Sequence, residues 1–188
     1  MGRTLTVKVD RYFTRGLVDG SLATLGVVIG ASMADPSIVI TAGIGGGVAN
    51  GLSNAFGALT AESAEVERRF SDIEKSMLSK GELRETILYK SMRKKVLLSG
   101  FSDGIASITG AFIPVLPFLL TYVLKYSNQV ALIISILLTI STLFILGMYL
   151  GFISRKNLIY SGLKMASIGT VTAIVCTLIE HVLQIRLG

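Results

Sequence analysis

Long apolar stretches separated by short polar breaks run through most of this chain. The stretches cover residues 17–33, 37–61, 96–124, 130–152 and 158–183. A helix needs about 20 residues to cross the hydrocarbon core of a bilayer, and each stretch is close to that length or longer. The pattern therefore predicts an all-α integral membrane protein with five transmembrane helices.

One polar segment, residues 62–95, separates the second apolar stretch from the third. Four apolar residues in its first half recur at helical spacing, which predicts that the second helix extends beyond the membrane. They are Val66, Phe70, Ile73 and Met77. Lys80-Gly81 predicts the end of that helix, and residues 82–95 are expected to form a second, short amphipathic helix. We therefore expect three parts: residues 1–61 with two spans, the cytoplasmic segment 62–95, and residues 96–188 with three spans.

Charged residues are scarce and unevenly placed. They make up 16% of the chain, against about 25% in a soluble domain. Lys and Arg concentrate in the N-terminal segment, in residues 62–95 and at the turn Arg155-Lys156, and basic loops of membrane proteins face the cytoplasm. With five spans, this distribution predicts a cytoplasmic N-terminus and a C-terminus outside. The net charge of +6 then reflects topology, and we expect no binding to nucleic acid.

Several common motifs are missing from the sequence. The single cysteine, Cys176, excludes a disulfide framework and a cysteine-based zinc site. There is no nucleotide-binding loop, zinc-protease motif or nucleophile elbow, so we expect neither an enzyme nor a tightly bound cofactor. The N-terminal MGRTLTVKVDRYFTRG lacks the apolar core of a signal peptide. We therefore expect the chain to begin in the cytoplasm, uncleaved, and to lie in a prokaryotic cell membrane.

A short internal repeat stands out in the first and third apolar stretches. GLVDG at residues 16–20 recurs as GFSDG at residues 100–104, and each copy is followed by a glycine six residues later. Both copies enter from the predicted cytoplasmic side, so the repeat is parallel. Transporters are often built from repeats, with the substrate site where the repeats meet.

Oxygen-bearing side chains in or beside the spans are the candidate metal ligands. Asp19 and Asp103, one in each repeat, can line a cation path, since divalent cations such as Fe²⁺ and Mn²⁺ accept oxygen ligands. Alternatively, each caps a helix start. Asn54, in the second span, either coordinates the cation or bonds another helix. Glu62 and Glu65 share one helix face at the membrane mouth, where they either collect divalent cations or form ion pairs on a solvated helix.

Four stretches of the chain resemble the vacuolar iron transporter family. They are GLVDGSLATLGVVIGA, GIGGGVANGLSNAFGALTAESAE, GAFIPVLPFLL and LKMASIGTVTAIVCTLI, and the likeness covers most of residues 13–183. The resemblance implies a five-span homodimer that exports Fe²⁺, and often Mn²⁺, from the cytoplasm in exchange for protons. It also implies that the first spans line a path between the subunits.

The resemblance also assigns roles to individual residues. It implies that Asp19 is the acidic pathway residue of the first span and that Glu65 is the glutamate that closes the second-span motif. Asn54 stands where the family usually has a methionine, which favours a harder cation, and Gly46 stands where many members have a glutamate. The cytoplasmic segment is about half the usual length. The chain thus resembles a divergent prokaryotic-type member with a shortened metal-binding domain.

Two other functions stay open. The basic run Arg93-Lys94-Lys95 can hold anionic membrane lipids, as expected of a non-transporting scaffold that binds lipids or a partner. A transporter of a different cation is the second alternative. Neutralising Asp19 discriminates between scaffold and transporter, because only a transporter needs that charge.

Overall fold

The computed structural model describes residues 2–77 and 82–187. Within them the elements are five α-helices and one short 3₁₀-helix, which confirms the all-α prediction. The α-helices are α1 (Gly2–Gly30), α2 (Pro36–Ser76), α3 (Ile87–Leu124), α4 (Asn128–Ile153) and α5 (Leu158–Leu187). The 3₁₀-helix, Glu82–Glu85, lies between α2 and α3.

Local chemistry explains where the central helices begin and end. Pro36 begins α2, a position where its missing N–H and fixed φ are compatible with a helix. Thr86 caps α3, because its hydroxyl accepts a hydrogen bond from the N–H of Tyr89 at 3.3 Å. Lys125, with a φ of 52°, ends α3 in the left-handed conformation typical of helix C-termini.

Three of the described helices are long and apolar enough to cross a membrane: α3, α4 and residues 158–185 of α5. The first two helices are less apolar. α1 begins with charged turns, and the membrane half of α2 is rich in glycine. Many large apolar side chains of α3, α4 and α5 face outwards, as in a protein whose surface contacts lipid.

The polar segment differs from its prediction in one respect. α2 does extend to Ser76, as the apolar spacing predicts, and the predicted helix end at Lys80-Gly81 lies outside the described residues. The predicted short helix over residues 82–95 is confirmed only in part, because residues 82–85 form a 3₁₀ turn and residues 87–95 are the first turns of α3. After the 3₁₀ turn, α3 begins at Ile87 and continues without a break into the apolar stretch. Lys and Arg are good helix formers, so the basic run does not interrupt the helix.

A small apolar cluster joins the extension of α2 to the start of α3. Val66, Phe70 and Val96 are buried together, and the rings of Phe70 and Tyr89 meet edge to face with centroids 5.0 Å apart. The two helices therefore form a hairpin that projects beyond the apolar body.

Glycines bring α1 and α3 into close contact. A Cβ atom added at Gly16 would lie 2.2 Å from the main-chain oxygen of Asp103, and one at Gly20 would lie 1.9 Å from that of Ser107. Only glycine permits this approach. The contacts advance in the same direction along both helices, so α1 and α3 run parallel, as the internal repeat predicts.

The remaining helices alternate in direction around α3. α2 packs antiparallel to α3, because Gly43 lies against Val115 whereas Gly51 lies against Gly104. α4 and α5 also pack against each other. Beside the C-terminal half of α3, an apolar cluster forms between α1, α2, α3 and α4, and its members are Val28, Val39, Val115, Phe118 and Ala131.

Candidate functional site

A column of polar side chains runs along the interface of α1, α2 and α3, inside an otherwise apolar bundle. We call it the polar column. Its members are Arg15, Asp19, Ser21, Thr24, Asn50, Asn54, Asp103 and Ser107. Since unpaired polar groups are costly in an apolar interior, the partners of each member indicate what the column can do.

The first level of the column is an ion pair between α1 and α3. Asp103 is fully buried, and its Oδ2 accepts a hydrogen bond from the Arg15 guanidinium, whose side chain is 50% exposed. The other oxygen, Oδ1, has no hydrogen-bond partner among the described residues. Asp103 lies well inside α3, so the capping alternative is wrong for it.

Asp19 adds a second carboxylate at this level. It is half-buried and lies one turn after Arg15 on the same face of α1. It interacts electrostatically with both Arg15 and Asp103. Because α1 begins at Gly2, Asp19 is not a helix cap either. Because Gly16 packs against the main chain of Asp103, both carboxylates lie at the same level of the column, and Arg15 bonds Asp103.

The second level is built on Ser107, one turn after Asp103 on α3. Its hydroxyl accepts hydrogen bonds from the amide nitrogens of Asn50 at 2.9 Å and Asn54 at 3.2 Å. Asn54 therefore forms a hydrogen bond to another helix, as one of its two predicted roles requires. The amide nitrogen makes this bond, and the amide oxygen takes no part in it. Asn50 and Ser107 were not predicted, although each lies four residues from a predicted ligand.

The third level contains Ser21 and Thr24. The hydroxyl of Ser21 shares its one hydrogen between two carbonyl oxygens, that of Leu17 at 2.7 Å and that of Gly110 at 3.1 Å. Thr24 is buried, and its hydroxyl has no partner within the described part of the chain. The apolar cluster around Val28 and Val115 follows directly. The column therefore starts at charged residues and ends at an apolar closure.

Glu62 lies on α2 near the charged start of the column. The hydroxyl of Tyr12, on α1, donates a hydrogen bond to its carboxylate. Burial and this hydrogen bond raise the pKa of Tyr12 to about 12. Since Tyr12 precedes Arg15 by about one turn, Glu62 lies where an ion would enter the column.

Glu65 has a different environment from the other predicted ligands. Its carboxylate accepts a hydrogen bond from Arg69 at 2.7 Å on the exposed face of α2. This bond holds the pKa of Glu65 below its usual value. Glu65 therefore forms an ion pair on a solvated helix, which is the second of the two roles predicted for it.

The carboxylates do not form a conventional metal centre. Across residues 2–77 and 82–187, no three His, Cys, Asp or Glu side chains are grouped so that they could hold a metal ion. A cation in the column would instead meet the carboxylates of Asp19 and Asp103 together with neutral oxygens. Such sparse coordination suits an ion in passage, because tight binding would slow its release.

Comparisons with known proteins agree with this architecture. A model of the VIT family matches residues 74–181 of the chain. An uncharacterized protein of Methanocaldococcus jannaschii is 49% identical over 172 residues, which cover 90% of this chain and 87% of that protein. The family and the apolar helices support a membrane protein and suggest metal-ion transport. The chain therefore belongs to the VIT family, the vacuolar iron transporter family that its sequence resembles.

Proposed function

We propose that this protein exports a divalent metal cation, Fe²⁺ or Mn²⁺, from the cytoplasm in exchange for protons. The observation that carries the proposal is the convergence of Asp19 and Asp103 on one interface of an apolar bundle. Ionisable side chains are expensive in a membrane and commonly mark the pathway of an ion or a proton. Membership of the VIT family supports the same class of substrate.

The proposal includes a five-span topology in a prokaryotic cell membrane, with the N-terminus inside and the C-terminus outside. The alternating helix directions support it. α5 runs parallel to α1, since Gly26 lies beside Cys176 and the Ser32 hydroxyl donates to Glu180 at 2.5 Å. The charged start of the column then faces the cytoplasm, next to the basic segments.

Each polar group has a proposed role in this pathway. Asp19 is the principal ligand and releases or takes up the proton that is exchanged. Asp103 is the second carboxylate, and the amide oxygen of Asn54 is a neutral ligand beyond them. Glu62 attracts the ion to the entrance, assisted by the more exposed Glu65.

We further propose a homodimer within the lipid bilayer. Gly45 and Gly57 on α2 have no neighbouring atoms within 4 Å of an added Cβ in the described protomer. Small residues on a membrane helix let a second helix approach closely. α2 is therefore the helix that we expect to contact the partner subunit.

The first test is cation flux into proteoliposomes that contain the purified protein, with and without an imposed pH gradient. We expect Mn²⁺ or Fe²⁺ to move, and the rate to fall when the gradient is dissipated. Co²⁺, Zn²⁺, Ca²⁺ and a monovalent cation complete the series. If only the monovalent cation moves, the protein is a transporter of a different cation. If no cation moves although the protein is folded, the result favours the non-transporting scaffold.

A further inference from the structure

Arg15 and Asp103 form an unusual pair for two residues of a transport pathway. The carboxylate is fully buried, whereas half of the arginine side chain is exposed. One carboxylate oxygen bonds the guanidinium, and the other, Oδ1, is buried without a partner in the described structure. Asp103 therefore has unused capacity to bind a second donor or a cation, beside a partner that solvent can reach.

The charge at this level depends on where Arg15 lies. With Arg15 in place, the guanidinium and the carboxylates of Asp19 and Asp103 carry one negative charge in total. With Arg15 withdrawn, the two carboxylates carry two negative charges, which balance the two positive charges of a divalent cation. The second repeat has Ser99 where the first has Arg15, so this level has two carboxylates and one guanidinium, which bonds Asp103.

The surroundings of Arg15 favour movement of its side chain over movement of its helix. The main chain of α1 is held against α3 at Gly16 and Gly20, where an added Cβ would collide with α3. The side chain borders an open cleft of about 270 Å³ between α1, α4 and α5, lined in part by Tyr12 and Met165. The guanidinium carbon also lies 5.3 Å from the centre of the Tyr12 ring, a face that attracts cations.

We propose that Arg15 is a tethered cation that occupies Asp103 in the absence of substrate, and that a divalent cation binds by displacing it and bridging Asp103 and Asp19. The inference rests on the proposed transport function and adds a built-in competitor to its site. Such a competitor lowers the apparent affinity by the fraction of time that it holds the site. Arg15 also neutralises the buried carboxylate of Asp103 between transport cycles, when no metal ion is bound.

Binding of Mn²⁺ to the purified protein, followed by the loss of the free-ion electron paramagnetic resonance signal, tests this inference. We expect Arg15→Gln to bind Mn²⁺ about tenfold more tightly than the wild type, as for a competitor that holds the site about 90% of the time. The control is Lys156→Gln, which removes one positive charge at an exposed residue that does not line this cleft and should change the affinity little. In an Asp103→Asn background, the effect of Arg15→Gln should fall well below tenfold, because only its electrostatic interaction with Asp19 is then left.

A second variant covers the case in which Arg15→Gln does not fold. Arg15→Lys keeps the charge but replaces a planar fork by a single ammonium, so we expect Mn²⁺ to bind a few-fold more tightly. Equal Mn²⁺ affinities for the wild type and the Arg15 variants would overturn the proposal that Arg15 competes with the cation. They would leave the transport proposal intact. Absence of both Mn²⁺ binding and Fe²⁺ binding, the latter measured by equilibrium dialysis, from all folded variants would overturn both proposals, since the site would then bind neither proposed ion.

Discussion

At the scale of single residues, the proline at position 114 has a consequence for helix α1. Pro114 has no N–H, so the carbonyl oxygen of Gly110, four residues earlier on α3, loses its donor within the helix. The buried hydroxyl of Ser21 lies 3.1 Å from that oxygen and shares its one hydrogen between it and the carbonyl oxygen of Leu17, at 2.7 Å. The side chain on α1 thus satisfies a main-chain group that the helix itself leaves unpaired, which explains why a serine lies in this apolar interface.

Ser21→Ala should therefore destabilise the protein more than removal of a hydroxyl usually does. An unsatisfied buried acceptor costs about 1–3 kcal/mol. The control is Ser167→Ala, because the exposed hydroxyl of Ser167 bonds only a carbonyl oxygen of its own helix. Thermal unfolding in detergent measures both variants, and a melting temperature that falls equally in the two would contradict this role of Ser21.

At the scale of helices, the sequence predicts most elements but not how they face each other. The apolar spacing through Phe70 predicts the extension of α2 because those residues pack against α3. The end predicted for the short helix near residue 95 was wrong, because the basic run indicates where a membrane begins, whereas helix α3 continues through that boundary. The bond of Asn54 to Ser107 depends on the rotation of α2 about its axis, which no local pattern determines.

The contact of α1 with α3 depends on Gly20, and its substitution tests the packing of these helices. A Cβ atom at Gly20 would lie 1.9 Å from a main-chain oxygen of α3, so Gly20→Ala must move the backbone. Overpacking typically costs about 1–3 kcal/mol, occasionally more. Gly30→Ala is the control, since nothing described lies within 4 Å of an added Cβ there. If the two variants unfold at the same temperature, the close parallel packing of α1 and α3 is wrong.

At the scale of the whole molecule, the internal repeat is the sequence feature that located the site. It predicted parallel helices with Asp19 and Asp103 at the same depth, and the structure has them interacting. The repeat did not predict Arg15 as the partner of Asp103, because the second copy has Ser99 where the first has Arg15. Asn50, Ser107 and Ser21 were not predicted as members of the polar column. Uncharged polar residues are common in membrane helices, so their presence alone does not indicate a site.

The proposed topology can be read from the turns on either side of the bundle. In a Cys176→Ser background, we expect Gln129→Cys to react with a membrane-impermeant maleimide in intact cells. Lys156→Cys should react only after permeabilisation, because positively charged loops stay inside. Both positions are exposed. The opposite labelling pattern would reverse the orientation, and labelling of both from outside would contradict five spans.

The most direct test of the account is Mn²⁺ flux into proteoliposomes with a pH gradient, comparing the wild type, Asp19→Asn and Asp35→Asn. Asn retains the shape of Asp but not its charge, and Asp35 is an exposed carboxylate at the turn between α1 and α2. We predict that Asp19→Asn abolishes flux while Asp35→Asn preserves it, because Asp19 lies in the polar column and Asp35 does not. Wild-type flux in a folded Asp19→Asn protein would contradict the column as the pathway.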